Sequence, residues 1–256
     1  MKIGQHQATI GKYKILLAHT DSTQTFALEL LKSGHYTQGT IVLARYQMEG
    51  KGRSDRHWSS QPGENFLGSV LLCHDHHMNG KDPGYISMMT ALAVHHTVQS
   101  FTSGSVGIKW PNDVLIDKRK VAGILITNQW RGKTLESSIL GIGLNVNQLC
   151  FDDLPNATSL KMVQGHDVAM PEVMKTLFSQ LEYWYSLLRM DRHAEIHRAY
   201  QESMHGYQQT LNVMIMGRAF PVLAKLIGTE TNGRIIMELE SQGLHTFDMD
   251  ELKILY

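Results

Sequence analysis

The sequence contains little cysteine, has no surplus of either charge and shows no long apolar run. Its 2 cysteines, Cys73 and Cys150, are too few for the disulfide framework of a small secreted domain, so we expect both thiols to be reduced. Lys plus Arg and Asp plus Glu both number 24, which gives a formal net charge of zero. A chain without excess charge has no general attraction to nucleic acid or to an anionic membrane.

Long apolar segments are missing as well. No stretch approaches the roughly 20 apolar residues that span a bilayer, and the first residues lack the apolar core of a signal peptide. With 256 residues, 42% of them hydrophobic, the chain can still bury a sizeable core in one or two domains. We therefore expect a globular cytoplasmic protein that binds neither nucleic acid nor a membrane.

Two generic phosphate-binding motifs are also absent. A Walker loop requires Ser or Thr after its Gly-Lys pair, whereas Gly50-Lys51 is followed by Gly52. A dinucleotide fingerprint requires a third glycine, but Asp55 stands in that place after Gly50-x-Gly52, and Val146 after Gly141-x-Gly143. Any nucleotide site in this chain must therefore be built in another way.

The spacing of apolar residues predicts both strands and helices. Strands are predicted at 13–18, 40–46, 65–73, 106–110, 114–117, 121–127 and 136–146. Helices are predicted between an N-cap at 21–23 and Gly34, at about 85–101, from Pro171 onward, and at about 193–204. Successive strands such as those in 106–127 indicate antiparallel pairing, so we expect an α+β fold rather than a doubly wound parallel sheet.

The pattern changes after about residue 206. No helical periodicity remains, and short strands are predicted at 213–215, 222–227, 235–239 and 245–247. Thr231-Asn232-Gly233 fits a tight hairpin turn between two of them. We therefore divide the chain into residues 1–205, a mixed, largely antiparallel sheet with flanking helices, and residues 206–256, a small β-barrel.

The most distinctive segment is Gly50–Trp58, which places Lys51, Arg53 and Arg56 beside two glycines. Glycine lets the backbone approach a ligand closely, and the cations supply charge-assisted contacts to phosphate or carboxylate. The segment therefore suits an anionic ligand. Its composition alone is equally typical of a solvated surface loop, so both interpretations remain open at this point.

Four other segments carry polar groups where strands end. They are 21–24, 109–113, 118–125 and 141–147. Each one alone has an ordinary structural interpretation, as a helix cap, a turn, a hairpin turn or a strand end. Their significance depends on their occurring together with Gly50–Trp58.

In this order, the segments resemble the signature motifs of the biotin–protein ligases. The family's Gly-Arg-Gly-Arg-x-Gly-Arg-x-Trp corresponds to Gly50–Trp58, and its Lys-Trp-Pro-Asn-Asp is unchanged at 109–113. Its basic-Lys-x-Ala-Gly-Ile-Leu is found at 119–125 and its Gly-x-Gly-x-Asn at 141–145. The resemblance covers essentially the full chain, and it implies a class II synthetase-like catalytic domain followed by an SH3-like barrel.

Two positions depart from the family pattern. Lys51 stands where the family usually has Arg, which keeps the charge but loses the bidentate geometry. Asp55 stands where a small residue, usually Gly, is common, and it adds a carboxylate beside the cations. Some family members also carry an N-terminal winged-helix domain that binds DNA. We do not expect that domain here, so transcriptional repression is not implied.

The resemblance implies a reaction in two steps. The carboxylate of biotin attacks the α-phosphate of MgATP to give biotinyl-5′-AMP and pyrophosphate, and a lysine of a biotin carboxyl carrier protein domain then takes the biotinyl group. ATP, biotin and Mg2+ are thus the expected ligands. The expected partner is the carrier domain of acetyl-CoA carboxylase or a related carboxylase, with the enzyme a monomer or a homodimer.

The resemblance also implies roles for individual residues. Lys120 is expected to be the chief catalytic residue, with Arg53 and Arg56, because positive charge counters the repulsion between two reacting anions. Asp113 is expected to bind Mg2+. Biotin is expected to contact Ser22, Thr23, Gln47, Lys51, Gly52, Arg53, Lys120, Gly123, Gly141 and Gly143. ATP is expected to contact Arg53, Arg56, Trp58, Asn112, Lys120 and Asn145.

Some alternatives stay open. Trp58 and Trp110 are expected to wall the pocket, with simple core packing as the other interpretation. A lipoate–protein ligase shares the fold and the adenylation chemistry, although the segments 50–58 and 109–113 favour biotin. A non-catalytic biotin-binding module is the third hypothesis. The departures at Lys51 and Asp55 support it slightly, and the retained Lys120 and Asp113 argue against it.

Overall fold

A computed structural model describes residues 9–54, 56–74, 82–152, 154–240 and 242–255. Within these ranges the chain forms two β-sheets, one of seven strands and one of five, together with five helices. The helices follow or interrupt runs of antiparallel strands and do not alternate with parallel ones. The predicted α+β class is therefore confirmed.

The larger sheet comes from the first part of the chain. Its strands are β1 (Lys14–Leu17), β2 (Ile41–Ala44), β3 (Asn65–Cys73), β4 (Val106–Lys109), β5 (Asp113–Ile116), β6 (Arg119–Arg131) and β7 (Thr134–Asn145). They lie in the order β1-β2-β3-β7-β6-β5-β4. Only β1 and β2 pair in parallel; the other neighbours are antiparallel. Strand β6 is longer than predicted because the β6–β7 hairpin stays paired out to Arg131 and Thr134.

The helices are α1 (Thr23–Ser33), α2 (Asp82–Gln99), α3 (Leu160–Gln164), α4 (Met170–Arg189) and α5 (His193–Ser203). Ser22 caps α1 by accepting a hydrogen bond from the Gln24 amide, and Gly34 ends it with a φ of 73°. Helix α4 buries the predicted apolar face, including Val173, Leu177 and Leu181. The short helix α3 was not predicted. In the part of the chain that the structure describes, no helix is both long and apolar enough to cross a membrane.

The smaller sheet contains β8 (Thr210–Ile215), β9 (Val222–Thr229), β10 (Ile235–Leu239), β11 (Gly243–Phe247) and β12 (Leu252–Ile254). All its pairings are antiparallel, in the order β11-β10-β9-β8-β12. The edge strands β11 and β12 are not paired with each other among the described residues. The sheet is therefore a partly open form of the predicted small barrel. The division into domains at residue 206 stays a prediction.

The two sheets meet at β4, the edge of the larger one. The chain that leaves α5 runs beside this edge, where the amide of His205 donates to the carbonyl of Ile108 at 2.8 Å. Trp110 is buried there, and its Nε1 donates to the carbonyl of Gly233 at 2.9 Å. Trp110 thus packs between the sheets and does not wall the pocket, which corrects one expectation. Apolar residues of both sheets form one continuous core.

A buried histidine lies on α2, beside strand β4. His95 of α2 is 5% exposed, and its Nε2 lies 3.3 Å from the carbonyl oxygen of Val106. Burial lowers the pKa of His95 to about 4, and the neighbouring His96 adds to the shift. The folded chain therefore keeps this ring neutral at pH values where an unfolded chain protonates it.

We predict that His95→Gln reduces the acid sensitivity of folding. The unfolded chain takes up a proton near pH 6.5 and the folded chain only near pH 4, so the free energy of unfolding falls as the pH drops through this window. The loss for His95 amounts to about 3 kcal/mol at most. Urea unfolding at about pH 7 and about pH 5 measures the difference, with the exposed His166→Gln as control. The same pH dependence in His95→Gln as in the parent would contradict the prediction.

Candidate functional site

A cavity of about 490 Å³ lies over one face of the larger sheet and is the place where the polar segments converge. Its wall contains every site residue that the sequence predicts: Ser22, Thr23, Gln47, Lys51, Gly52, Arg53, Arg56, Trp58, Asn112, Asp113, Lys120, Gly123, Gly141, Gly143 and Asn145. Residues separated by more than a hundred positions in sequence are thus neighbours. The role of each residue stays a prediction.

Strand register arranges part of this wall as a single row. Gly143 of β7 pairs with Gly123 of β6, Gly123 pairs with Asp113 of β5, and Asp113 pairs with Lys109 of β4. Residues directly opposite each other point to the same face of a sheet. The row covers three strand spacings of about 4.8 Å each, or about 14 Å. It runs from two glycines near the centre of the sheet to a carboxylate and a cation at its edge.

The central glycines make room for larger side chains. A Cβ atom on Gly143 would lie 2.4 Å from Cε2 of Trp58, and one on Gly141 would lie 2.5 Å from Oε1 of Gln24. Neither separation is possible for real atoms, so only glycine allows Trp58 and Gln24 to approach the sheet. The Nε1 of Trp58 is buried and has no hydrogen-bond partner among the described residues.

An uncharged hydrogen-bonding network forms the inner end of the cavity. The amide and hydroxyl of Thr23 both donate to Oε1 of Gln47, at 2.8 and 2.9 Å. The hydroxyl of Ser69 lies 2.9 Å from that of Thr23 and 3.1 Å from Oε1 of Gln24. Gln24 is held in turn by Thr127, whose hydroxyl accepts from its Nε2 at 2.9 Å. Buried groups held in this way present hydroxyls and amides to a polar, uncharged ligand.

An ion pair lies further out. Nζ of Lys120 is 2.7 Å from Oδ1 of Asp113 and 5.4 Å from the centre of the Trp58 ring. The Lys120 side chain is 37% exposed, so the pair adds little to stability and stays accessible to a ligand. A two-residue turn at Asp117-Lys118, with φ of 48° and 65°, places Lys120 opposite β5.

More cations surround this pair. Burial lowers the pKa of Lys109, and the carboxylate of Asp113 opposes the shift. The positive charges of Lys120, Lys253 and Arg56 each lower the same pKa further. Asp113 is the one carboxylate among the described residues of the cavity wall. Among the described residues of the wall, cationic side chains therefore outnumber carboxylates at the outer end of the cavity.

The glycine- and cation-rich loop closes one side of the cavity. It is a short hairpin in which the Trp58 amide donates to the carbonyl of Gly50 at 2.8 Å and the Gly52 amide to that of Arg56 at 2.7 Å. Arg53 reaches the turn before β12, where its guanidinium lies 3.3 Å from Oδ1 of Asp250. Asp55, the second departure from the family pattern, lies outside the described residues.

Two asparagines, Asn112 and Asn145, and the loop that follows β7 form another part of the cavity wall. Nδ2 of Asn145 donates to the carbonyl of Thr158, and Nδ2 of Asn112 donates to that of Ile124. The Oδ1 of Asn145 is buried without a partner among the described residues, so one acceptor remains for a ligand. The loop that follows β7 is pinned by Lys120, whose backbone amide donates to the carbonyl of Asn156 at 2.7 Å.

Several wall residues were not predicted from the sequence. Gln24, Ser69, Lys109 and Lys253 line the cavity, as do residues of the loop after β7 such as Phe151. The sequence does contain signals for three of them. Gln24 and Lys109 lie inside the polar segments 21–24 and 109–113, and Ser69 is a polar residue within an otherwise apolar strand. Nothing in the sequence around Lys253 indicates that this residue lines the cavity.

The residues of the site can hold a magnesium ion only when a bound nucleotide supplies some of its oxygen ligands. No group of three or more His, Cys, Asp or Glu residues is placed to hold a metal within the described ranges. Asp113 supplies a single carboxylate, and Mg2+ is often held by one or two carboxylates together with substrate phosphates and water. The donor set therefore suits magnesium that arrives with a nucleotide.

Comparison with known proteins connects this geometry to one family. A model of the biotin/lipoate A/B protein ligase family matches residues 16–145. The bifunctional ligase/repressor BirA of Bacillus spizizenii is 29% identical over 245 residues, which are 94% of this chain and 74% of that protein. The biotin–[acetyl-CoA-carboxylase] ligase of Paracoccus denitrificans is 32% identical over 192 residues, which are 72% of this chain and 78% of that protein.

Solved structures give the same result. The biotin protein ligase from Aquifex aeolicus in complex with biotin and ATP superposes with a TM-score of 0.77 and 26% identity, covering 95% of this chain and 99% of that one. The biotin protein ligase from Leishmania major in complex with biotinyl-5-AMP superposes with a TM-score of 0.64 at 17% identity, a likeness of fold.

We predict that Gly143→Ala destabilises the protein through Trp58. The added methyl group overlaps the indole, and overpacking of this kind costs about 1–3 kcal/mol. The cost should nearly vanish when Trp58 is already replaced by Ala, because the overlapping ring is then gone. A double-mutant cycle of urea unfolding measures this coupling. An equal cost of Gly143→Ala in both backgrounds would show that Trp58 does not lie over this glycine.

Proposed function

Because the chain belongs to the biotin/lipoate A/B protein ligase family, we propose that it is a biotin–protein ligase that activates biotin with MgATP and transfers it to a carrier lysine. One observation carries the proposal. A single cavity joins an uncharged hydrogen-bonding end, around Thr23 and Gln47, to a cation-rich end around Lys120. Biotin has a polar, uncharged ring system at one end and a carboxylate at the other, and ATP brings the further anions.

The first step joins two anions. A carboxylate oxygen of biotin bonds to the α-phosphorus of ATP, the bond from that phosphorus to the bridging oxygen breaks, and pyrophosphate leaves. Lys120, with Arg53 and Arg56, reduces the repulsion between the carboxylate and the phosphates. Holding both reactants in one cavity makes the attack effectively intramolecular.

The inner wall positions biotin. Thr23, Gln47 and Ser22 are proposed to hydrogen-bond its ureido ring, while Gly141 and Gly143 are proposed to bring their backbone close to biotin, beside the Gln24 and Trp58 side chains that lie over them. The contacts of Lys51, Gly52 and Gly123 with biotin belong to the same proposal. Fixed hydrogen-bonding groups of this kind set orientation as well as affinity.

The outer wall positions the nucleotide. Asn112, Asn145 and Trp58 are proposed to contact ATP together with the arginines of the loop. Asp113 would hold the magnesium of MgATP, which supplies positive charge to the phosphates when bound. Asp113 also restrains Lys120, because its Oδ1 lies 2.7 Å from Nζ of the lysine on the wall of the same cavity.

In the second step, the amine of a carrier lysine attacks the carbonyl carbon of biotinyl-5′-AMP. An amide bond forms, AMP leaves with the mixed-anhydride oxygen, and the amine loses its proton. We infer that the acceptor is a biotin carboxyl carrier protein domain and that the enzyme acts in the cytoplasm. The biotin–[acetyl-CoA-carboxylase] ligase relatives support this choice of partner.

Lipoate is the second candidate substrate, because the matching family model covers biotin and lipoate ligases alike. Both acids are activated by the same adenylation. The loop at Gly50–Trp58 favours biotin, and the named relatives are biotin ligases. Exchange of labelled pyrophosphate into ATP, driven by biotin in one arm and by lipoate in the other, separates the two. Faster exchange with lipoate would overturn the choice of biotin.

We predict that Lys120→Ala lowers biotin-dependent formation of pyrophosphate from MgATP by about 10²–10³-fold, since one preorganised charge at the transition state is lost. Lys133→Ala, on the exposed turn between β6 and β7, is the matched control and should keep parental activity. Circular dichroism shows whether each variant is folded. Near-parental turnover by a folded Lys120→Ala protein would remove Lys120 from its proposed role.

A further inference from the structure

A buried glutamine, Gln148, lies just after β7, where the chain leaves the larger sheet. Its side chain is enclosed, since the residue is only 4% exposed, and it is not part of the cavity wall. Its Oε1 accepts hydrogen bonds from Nδ2 of Asn65 and, at 3.0 Å, from the backbone amide of Gln61. Its Nε2 donates to the carbonyl of Cys150 at 2.7 Å. One amide group thus joins three separate points of the chain.

Asn65 fixes Gln148 to the sheet. It is the first residue of β3 and pairs with Asn145, the last residue of β7. Beyond this pair, Oδ1 of Asn65 accepts from the amide of Val146 at 3.1 Å, while its Nδ2 donates to Gln148. Asn65 is itself buried. Breaking these bonds would leave buried polar groups without partners, so the position of the Gln148 side chain is closely determined.

The bonds of Gln148 connect two parts of the cavity wall. Gln61 lies three residues after Trp58, which lines the cavity at the end of the glycine- and cation-rich loop. Cys150 directly precedes Phe151, which lines the cavity as well. Gln148 therefore ties the segment that carries Trp58 to the segment that carries Phe151.

Both segments adjoin Lys120. The ring centre of Trp58 is 5.4 Å from Nζ of Lys120, and the segment after β7 continues to Asn156, whose carbonyl accepts from the Lys120 amide. The uncharged inner end of the cavity has other supports. Thr23 and Gln47 bond to each other, and the Thr23 hydroxyl accepts from Ser69. A change at Gln148 should therefore affect the wall near Lys120 and leave the inner end intact.

We propose that Gln148, held by Asn65, is a positioning residue that sets the separation of Trp58 and Phe151, and with it the width of the nucleotide end of the cavity. This inference rests on the proposed function. Gln148 touches neither ATP nor biotin and takes no part in the chemical step. An amide suits the task because it accepts from one segment and donates to the other.

The test uses variants of the full chain that remove these bonds. Gln148→Met keeps the length of the side chain and loses every hydrogen bond, and Gln148→Asn keeps the amide on a shorter stem. Gln38→Met is the matched control. The amide group of Gln38 accepts from the Cys73 amide at 2.6 Å and donates to the Tyr185 hydroxyl at 2.8 Å, away from the cavity wall.

Calorimetry measures two affinities for each variant, that for a non-hydrolysable MgATP analogue without biotin and that for biotin without nucleotide. We expect Gln148→Met to weaken analogue binding about tenfold, because the wall must be ordered again on binding. Gln148→Asn should show a smaller loss in the same direction, and it carries the test if Gln148→Met does not fold. Biotin affinity should not change, and Gln38→Met should match the parent in both.

A double-mutant cycle with Phe151→Ala shows whether Gln148 acts through this wall residue. In the Phe151→Ala background, Gln148→Met should weaken analogue binding less than about twofold. In pyrophosphate exchange, the KM for MgATP should rise in Gln148→Met by the same factor as the analogue Kd, with kcat nearly unchanged. A residue that only stabilises the fold would not separate KM from kcat in this way.

Analogue affinity within about twofold of the parent in a folded Gln148→Met protein would overturn the proposal. So would an equal loss of biotin affinity, an equal loss in Gln38→Met, or a full loss that persists in the Phe151→Ala background. If analogue binding depends on Gln148 while biotin drives no exchange in the parent, the positioning role stands and the choice of biotin fails. The two proposals can therefore fail separately.

Discussion

The antiparallel register of β7, β6, β5 and β4 is the constraint on which the site depends. It places Gly143, Gly123, Asp113 and Lys109 in one row on one face of the sheet. A shift of one residue in any of these strands would turn its member of the row to the opposite face. Hairpin turns between β4 and β5, β5 and β6, and β6 and β7 hold the register, including the tight turn at Asp117-Lys118.

The row also explains why one cavity serves two kinds of ligand group. Near the centre of the sheet, the missing side chains of Gly143 in the row and of Gly141 on the same strand admit Trp58 and Gln24. At its edge, lysines and arginines outnumber the one carboxylate among the described residues of the wall. An excess of cations of this kind attracts anionic ligands.

The sequence predicts the local parts of this arrangement well. Each of the segments 21–24, 109–113 and 141–147 brings polar residues to the cavity, because each one adjoins a strand of the larger sheet. The helix that begins near Pro171 has the predicted buried face. These features depend on periodicity and capping within short stretches, which a single sequence contains.

What the sequence does not predict depends on long-range packing. Strand β12 has only three residues, too few for alternation to be recognised, and it brings Lys253 to a cavity built largely by the other sheet. Trp110 was expected to wall the pocket, but the contact with Gly233 draws it into the core between the sheets. Ser69 joins the hydrogen-bonding network only because α1 packs on β3.

The cavity is proposed to activate biotin and to transfer the biotinyl group to a carrier lysine. The most direct measurement is the intact mass of a biotin carboxyl carrier domain after incubation with this protein, biotin and MgATP. We expect a gain of one biotinyl group at a single lysine, and no gain when ATP is left out. An unmodified carrier domain, in the presence of folded protein and both substrates, would contradict it.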